Sequence, residues 1–256
     1  MIAAGLDLGT RAAKAVIVKD GELIAWESSP VNDVLSRLGK RLLKSAMKSA
    51  RVSRWKLDRI AVTGYGMKAI RFADKQFPIP VCLARAAHRL EPGVRTVIDI
   101  GGLVSRVIKI APDGSVEDYL ENERCASGSG RFLEMIAEAL ETPIQEIGPL
   151  ALSSTRPLRL TSQCVVFAES EVVSLVNQGG EPADILAGLH RSIAERVSSM
   201  ANRLQAAAPL AVTGGVALNP AVIKFLEDEM HLSVRPLSRD PQIACALGAA
   251  LAAMER

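Results

Sequence analysis

The sequence predicts an α/β protein with two similar lobes that face each other across a cleft, and two observations favour this class. The first is an internal repeat, because an Asp-x-Gly turn followed by a cation occurs at residues 7–14 and again, at one constant offset, at 99–106. The second is that short apolar runs of strand length alternate with longer segments of helical spacing. A repeat of this kind sets the architecture, so each copy is predicted to open one lobe. The corresponding positions are Asp7 and Asp99, Gly9 and Gly101, and Lys14 and Arg106.

The first lobe is predicted to begin with a strand hairpin. Residues 2–8 form an apolar run, and Asp20-Gly21 is a turn signal that joins antiparallel strands. A helical segment follows, and then a strand that ends in Gly64-Tyr65-Gly66. The predicted elements are strands over 2–8, 13–18 and 22–26, a helix over about 31–51, a strand over 59–63 and a short helix over 67–74.

The second lobe is predicted to restate this hairpin with a turn at Asp113-Gly114. Gly248 lies among alanines in the last predicted helix, which indicates close packing on a neighbouring element. We expect one lobe to comprise residues 1–92 with about 240–256, and the other 93–239. The remaining predicted elements are strands over 97–102, 104–110 and 209–212, helices after Cys125 and Cys164, and helices over about 181–205, 220–230 and 241–254.

Composition excludes several classes of partner. At 256 residues the chain can bury a substantial core, and a net charge of +3 is too small to imply nucleic-acid binding. The most basic stretch, residues 37–54, has the apolar spacing of an amphipathic helix with a solvated charged face. The chain opens without the pattern of a signal peptide and has no apolar run of membrane-spanning length. The sequence therefore predicts a soluble, cytoplasmic protein that binds neither nucleic acid nor membrane.

The two Asp-x-Gly turns have the chemistry of phosphate loops. A single copy is more often an ordinary tight turn, but two copies at matching positions favour a ligand. Their glycines allow the backbone to approach a ligand, and successive N–H groups form an anion-binding nest. A hydrated Mg²⁺ prefers one or two carboxylates together with substrate phosphate, so Asp7 and Asp99 are the candidate catalytic residues. Thr10 and Lys14 add a hydroxyl and a cation.

A third glycine turn follows the strand predicted over 209–212. It reads Thr213-Gly-Gly-Val-Ala-Leu-Asn219 and precedes a predicted helix. A glycine pair at the carboxyl end of a strand keeps the backbone bare for a flat or phosphorylated ligand. A two-glycine turn alone is weak evidence, and its weight comes from its position after the two earlier turns.

Two cysteines, Cys125 and Cys164, each precede a segment of helical spacing. A cysteine at a helix N-terminus lies against the positive end of the helix dipole, which favours the metal-binding thiolate. An iron–sulfur cluster is usually held by four cysteines, so two from each of two chains would suffice. Two alternatives remain open: cysteines are often small buried fillers, and these two could form a disulfide.

The complete set of motifs resembles the fold shared by actin, Hsp70 chaperones and sugar kinases. Within that fold, the stretch from Asn122 to Glu134 (Asn-Glu-Arg-Cys-Ala-Ser-Gly-Ser-Gly-Arg-Phe-Leu-Glu) and the stretch from Cys164 to Glu171 resemble the BadF/BadG/BcrA/BcrD ATPase family. That family includes the activators of 2-hydroxyacyl-CoA dehydratases and the ATPase subunits of benzoyl-CoA reductase. The resemblance extends from Gly5 to about Leu251.

The resemblance implies a homodimer that holds one oxygen-sensitive [4Fe-4S] cluster between its subunits, with Cys125 and Cys164 as ligands. It implies that ATP binding and hydrolysis with Mg²⁺ drive a low-potential electron to an iron–sulfur dehydratase or reductase, with a ferredoxin or flavodoxin as the electron donor. The residues expected to bind ATP or ADP are Gly9, Thr10, Arg11, Lys14, Gly101, Gly102, Ser127, Gly128, Gly130, Gly214, Gly215, Val216 and Asn219.

One loop departs from the family pattern. The family usually has Asp-Ile-Gly-Gly-Gln-Asp-Ser-Lys, whereas this chain has Asp99-Ile-Gly-Gly-Leu-Val-Ser-Arg106. Leu103 and Val104 cannot accept a proton or hold a hydrated metal ion. The sequence therefore predicts that hydrolysis is slow or relies on Asp7 and Asp99 alone.

Two other functions are compatible with the motifs. A small-molecule kinase of the same fold needs a carboxylate base for the acceptor hydroxyl, and Asp99 could serve, but no sugar-recognition cluster is evident. A nucleotide- or cluster-sensing module that has lost turnover would account for Leu103 and Val104. Nucleotide-dependent sugar phosphorylation would favour the kinase, and magnesium-dependent ATP hydrolysis would exclude the sensor.

Overall fold

A computed structural model describes residues 1–122, 128–160, 165–237 and 240–255. The chain forms two compact units. The first comprises Met1–Val94, Ile110–Glu117 and Leu237–Arg256, and the second comprises Arg95–Lys109 and Asp118–Pro236. Each unit contains one five-stranded sheet.

The sheet of the first unit has the order β3-β2-β1-β4-β5. β1 pairs antiparallel with β2 and parallel with β4. Asp20 and Gly21 both have positive φ, 51° and 84°, which is the geometry of the tight turn predicted between β2 and β3. The strands are β1 (Ile2–Leu8), β2 (Ala12–Lys19), β3 (Glu22–Pro30), β4 (Arg59–Thr63) and β5 (Lys75–Gln76).

Three helices belong to this unit: α1 (Leu35–Ser49) and α8 (Ala244–Met254) contact the sheet, and α2 (Ile79–Leu90) packs on α8. The approach of α8 to its neighbours is very close, because a Cβ atom on Gly248 would lie 1.7 Å from the Cys82 carbonyl oxygen of α2. A Cβ atom on Gly5 would lie 1.9 Å from the Ala246 carbonyl oxygen. The close packing that Gly248 predicts is therefore confirmed, and the small residues of α8 are required by it.

The second unit repeats this plan, with the sheet order β10-β9-β6-β7-β8. β6 pairs antiparallel with β7 and parallel with β9, as β1 does with β2 and β4. Its helices share one large core cluster with the buried face of β6 and β9. The elements are β6 (Thr96–Ile100), β7 (Ser105–Ile110), β8 (Val116–Glu121), β9 (Leu210–Thr213), β10 (Val234–Pro236), α3 (Gly130–Ala139), α4 (Ile147–Leu152), α5 (Val165–Asn177), α6 (Pro182–Arg203) and α7 (Pro220–Met230).

Residues 67–90 differ from the sequence-based expectation, and the short elements β5, β8, β10 and α4 were not predicted. The helix predicted over residues 67–74 is only a 3₁₀ turn at Met67–Ala69, and α2, which was not predicted, follows it. Its first turn contains Pro80, a residue tolerated there because the first N–H groups of a helix have no intrahelical partner. Its buried side is largely alanine, which gives a weaker periodic signal than leucine or valine.

Candidate functional site

In the first unit, the end of β1 brings a carboxylate and an ammonium group together. Asp7 lies opposite Lys14 in the antiparallel register of β1 and β2. Lys14 Nζ is 3.2 Å from Asp7 Oδ2, and both side chains are largely buried. A Cβ atom on Gly9 would lie 2.7 Å from the Ala12 carbonyl oxygen, so only glycine fits the turn between them. Thr10 is half-buried beside it and Arg11 is exposed.

The second unit contains the corresponding pair in a more constrained form. Arg106 Nη1 is 3.1 Å from Asp99 Oδ2, and Arg106 Nε is 3.0 Å from Glu121 Oε2. The Thr213 hydroxyl also donates to Asp99 Oδ1 at 3.1 Å. Asp99 is 5% exposed and Arg106 4%. This carboxylate is therefore held by a guanidinium that two acids share, whereas Asp7 is held by the simpler ammonium of Lys14.

A second repeated motif extends the symmetry of the two units. The tetrapeptide Ala-Val-Thr-Gly occurs at residues 61–64 and 211–214. Thr63 lies beside Asp7, and Thr213 lies beside Asp99, in equivalent parallel strand pairs. The glycine that follows has a φ of +90° in the first unit and +88° in the second. The sequence analysis did not pair these two segments, although their identical tetrapeptides were a signal that they are equivalent.

The conformation of these two glycines fits a bare backbone beside each carboxylate. A Cβ atom on Gly64 would lie 2.6 Å from Asp7 Oδ1, and one on Gly214 would lie 2.9 Å from Asp99 Oδ1. Each Asp therefore has one strand-end cation and one glycine turn next to it. A bare backbone beside a carboxylate is the kind of surface that suits phosphate or a hydrated Mg²⁺.

The two cradles differ in their threonine. The Thr63 hydroxyl is buried without a hydrogen-bond partner among the described residues, whereas Thr213 donates to Asp99. The Cys82 thiol lies beside Thr63 but without the geometry of a hydrogen bond. Burial raises the pKa of Cys82 to about 12, so this cysteine stays a neutral thiol.

The second Asp-x-Gly turn is tied directly to the start of α3. The backbone N–H groups of Gly130 and Arg131 donate to the carbonyl oxygens of Gly101 and Gly102, both at 2.9 Å. Ser105 adds a link, since its N–H donates to Asn122 Oδ1 at 2.8 Å and its hydroxyl to the Gly128 carbonyl. The loop over 101–104 and the segment that leads into α3 therefore form one hydrogen-bonded assembly.

The third glycine turn contacts the same assembly. A Cβ atom on Gly130 would lie 3.2 Å from Val216 Cγ2 and 3.4 Å from the Gly101 carbonyl oxygen. Gly101, Gly130 and Val216 are thus neighbours within the second unit. Gly215 is exposed beside Val216. Ser127, another predicted nucleotide contact, lies outside the described residues.

The two apolar residues in this loop occupy different positions. Leu103 is 40% exposed, and Val104 is 5% exposed with its carbonyl oxygen accepting from the Gly101 N–H at 3.0 Å. The loop therefore closes on itself through backbone hydrogen bonds. It presents an apolar side chain to solvent at Leu103 and contributes no carboxylate beyond Asp99.

The side chain of Asn219, a predicted nucleotide contact, is engaged within the protein. Its Oδ1 accepts from the N–H groups of Ala221 and Val222 at 3.0 and 3.3 Å, which caps α7. Its Nδ2 lies 2.9 Å from Nε2 of His190 on α6. Asn219 therefore positions the end of the glycine turn through its side chain.

His190 is a residue of this site that sequence reasoning missed. It is fully buried, and its Nδ1 donates to the Leu186 carbonyl oxygen at 2.6 Å, which leaves Nε2 to accept from Asn219. Burial lowers the pKa of His190 to about 4. The one available signal was a histidine within the apolar stripe of the helix predicted over 181–205.

Cys125 and Cys164, the predicted cluster ligands, lie outside the described residues. The helices that follow them in sequence, α3 and α5, pack against each other and share the core of the second unit through Phe132 and Val172. Among the described residues no group of three or more His, Cys, Asp or Glu side chains is arranged to hold a metal ion. No helix in the described part of the chain has the length and apolar character needed to cross a membrane.

Comparison with known proteins gives consistent matches over almost the whole chain. The model of the BadF/BadG/BcrA/BcrD ATPase family matches residues 4–253. The 2-hydroxyisocaproyl-CoA dehydratase activator of Clostridioides difficile is 35% identical over 255 residues, which is 100% of this chain and 96% of that protein. Its solved structure with bound ADPNP has a TM-score of 0.91 and covers 99% of this chain and 94% of that one.

Two further relatives agree with these matches. The (R)-2-hydroxyglutaryl-CoA dehydratase activating ATPase of Acidaminococcus fermentans is 36% identical over 98% of this chain and 96% of its own length. The crystal structure of that dehydratase component A has a TM-score of 0.94 and covers 99% of this chain and 97% of that one. One of the benzoyl-CoA reductase subunits of Thauera aromatica is 34% identical over 98% of this chain and 92% of its own length. These matches confirm the predicted duplicated α/β ATPase fold.

Proposed function

Because the chain belongs to the BadF/BadG/BcrA/BcrD ATPase family, we propose that it is an ATP-dependent activator of a partner iron–sulfur enzyme. In this proposal, two copies of the chain hold one [4Fe-4S] cluster between them. Nucleotide turnover delivers a low-potential electron to a 2-hydroxyacyl-CoA dehydratase or a benzoyl-CoA-type reductase. A ferredoxin or flavodoxin supplies that electron.

The observation that carries this proposal is the assembly of the second phosphate loop with α3. The carbonyl groups of Gly101 and Gly102 hold the first N–H groups of α3, and that helix begins five residues after Cys125. A phosphate that binds the N–H side of the loop shifts the same peptide units whose carbonyls hold α3. Nucleotide state and the cysteine-bearing segment are thereby coupled through a short chain of hydrogen bonds.

A second observation supports the homodimer. On α5, which begins directly after Cys164, Ala168 and Val172 are buried in the core while Phe167 is 70% exposed. Val173 and Val176 are also exposed, at 48% and 42%. Large apolar side chains that are exposed on one helix are typical of a protein interface. We therefore place the face of α5 that includes Phe167 at the contact between the two copies.

The residues also suit the proposed cofactors. Two thiolates from each chain make the four soft ligands that a [4Fe-4S] cluster needs, and such a cluster supplies one-electron chemistry when bound. Asp7 and Asp99 are the hard oxygen ligands suited to Mg²⁺, directly or through water. Lys14 and the glycine turns provide positive charge and bare N–H groups for the phosphates of ATP.

A hydrolysis-impaired nucleotide sensor is a second candidate, because Leu103 and Val104 place apolar side chains in the loop next to Asp99. The two functions differ in turnover. An activator must hydrolyse ATP, whereas a sensor needs only to bind it.

We expect Asp7→Asn to lower magnesium-dependent ATP hydrolysis by at least about tenfold, because a neutral amide binds Mg²⁺ poorly and cannot accept a proton. The measurement is phosphate release under anoxic conditions, with nucleotide affinity determined on the same samples. Asp20→Asn is the matched control, since this side chain is 65% exposed at the hairpin turn. An unmodified protein that binds ATP without hydrolysing it would contradict the activator and favour the sensor.

A further inference from the structure

The outward face of α1 and the 3₁₀ turn at Arg54–Lys56 concentrates positive charge. Residues 35–57 contain eight Lys and Arg and no Asp or Glu. The whole chain has 31 Lys and Arg and 28 Asp and Glu, so acids outnumber bases over the rest of the sequence. We call this set the α1 basic face, and its members are Arg37, Lys40, Arg41, Lys44, Lys48, Arg51, Arg54 and Lys56.

The fold accounts for the apolar side of α1 but not for its charged side. Leu38, Leu42 and Leu43 are buried in the core of the first unit, where α1 packs on β2 and β3. Every member of the α1 basic face is exposed. The apolar side of the helix is used in the core, and the charged ends of these side chains lie outside it.

Most of these cations also form no ion pair with the residues that the structure describes. Arg37 and Arg41 both pair with Asp33, at 3.0 and 3.5 Å, and Lys40 lies 5.9 Å from the centre of the Phe72 ring. Like charges four residues apart on a helix repel each other, so this arrangement opposes folding of α1. Five cations have no ion-pair partner among the residues that the structure describes: Lys44, Lys48, Arg51, Arg54 and Lys56.

An aromatic side chain lies at the end of the α1 basic face. Trp55 is 96% exposed and lies between Arg54 and Lys56 on the 3₁₀ turn. Tryptophan and arginine are the residues that most often dominate the binding energy of protein interfaces. A fully exposed indole beside unpaired cations provides an apolar anchor within a charged rim.

We infer that the α1 basic face and Trp55 form a docking surface for an acidic protein. That the partner is a protein rests on the proposed function, because an activator must bind the enzyme that it activates or the carrier that reduces it. Charge complementarity of this kind speeds association and suits short-lived complexes. At about 1.5 Å per residue, α1 is about 22 Å long, which is sufficient for one side of a small interface.

Two other polyanions fit the surface less well. The apolar side of α1 is buried in the core, so the helix cannot insert into a bilayer as an amphipathic membrane anchor does. Single-stranded nucleic acid is usually held by a series of aromatic side chains on which successive bases stack, and this face has Trp55 alone.

The test uses Trp55 as its own reporter. The chain has two tryptophans, so a Trp26→Phe background leaves Trp55 as the sole indole, and poly-L-glutamate serves as the acidic polypeptide. At about 0.15 M salt we expect Lys44→Glu/Lys48→Glu/Arg51→Glu to weaken binding by at least about tenfold. The matched control with the same charge change elsewhere, Arg156→Glu/Arg159→Glu/Arg203→Glu, is expected to stay within about twofold of the unmodified chain, because its residues lie outside this face.

Three outcomes would overturn the inference. They are no binding of poly-L-glutamate by the unmodified chain, an equal loss in the control variant, or tighter binding of single-stranded RNA or of phosphatidylserine vesicles at the same salt concentration. Iron content and nucleotide affinity are measured on the same samples. If the proposed function is wrong, the unmodified protein will contain no iron or will not bind nucleotide, whatever the poly-L-glutamate result.

Discussion

Replacing both Cys125 and Cys164 with serine is expected to abolish iron binding. Serine has nearly the size of cysteine but offers a hard hydroxyl in place of a soft thiolate, and iron–sulfur clusters select thiolates. We expect iron in the anaerobically purified protein to fall from about four atoms per two chains to below about one. Iron and acid-labile sulfide analysis, together with the loss of the brown colour, measures this change.

The chain provides its own control for this experiment. Cys82 and Cys245 are the cysteines that the structure describes, and Cys82 is a buried neutral thiol of α2 that packs against α8. Cys82→Ala/Cys245→Ala should therefore keep its iron, even where the lost packing lowers its stability. Iron that persists in the Cys125→Ser/Cys164→Ser protein at the unmodified level would refute the assignment of these ligands.

Acid is expected to destabilise the folded protein through His190. The folded-state pKa of about 4 lies below the ordinary value of 6.5, so the unfolded chain binds more protons between these two values. Stability therefore rises with pH across this window and is lost as the pH falls. Between pH 7 and pH 5 this one group should lower the free energy of unfolding by about 2 kcal/mol.

Replacement of the imidazole isolates this contribution. His190→Gln keeps a neutral acceptor near Asn219 but removes the titration, so its free energy of unfolding should change less between pH 7 and pH 5 than that of the unmodified protein. Urea denaturation at each pH gives the comparison. His231→Asn is the control, because His231 is exposed after α7 with a φ of 53°, a conformation that asparagine adopts readily. Parallel pH dependence in the His190→Gln and unmodified proteins would show that His190 is not the titrating group.

His190 also links stability to the nucleotide site. Its partner Asn219 caps α7 and ends the glycine turn that begins at Gly214. A charged ring would place a second N–H against the Asn219 amide, whose Oδ1 is already used by the cap. Weaker nucleotide binding at pH 5 than at pH 7, reduced in the His190→Gln protein, follows from the same geometry.

The sequence was most informative where a local pattern determines the structure. The strands over 2–8 and 59–63 have the predicted bounds, and the Asp20-Gly21 turn has the predicted conformation, because apolar runs and Asp-Gly turns act through neighbouring residues. The repeat of Asp7 and Asp99 likewise indicated two related units, since both copies obey the same strand register. The resemblance to the family also led to the prediction of the ATPase fold.

The parts that the sequence did not predict depend on contacts between distant segments. The pairing of Thr63 with Asp7 follows only from the parallel register of β1 and β4. The contact of His190 with Asn219 joins α6 to a turn that is 29 residues away. The bond from Gly130 to Gly101 has a similar separation, and no periodicity reports it. Tertiary hydrogen bonds of this kind leave no trace in local spacing.

The central claim is that two copies of this chain share one cluster whose exposure responds to nucleotide. Native mass spectrometry of the anaerobically purified protein tests it most directly. We expect one species with the mass of two chains and a single [4Fe-4S] cluster, and we expect it to disappear in the Cys125→Ser/Cys164→Ser protein. A single chain without iron, or a dimer with a separate cluster on each chain, would contradict the account.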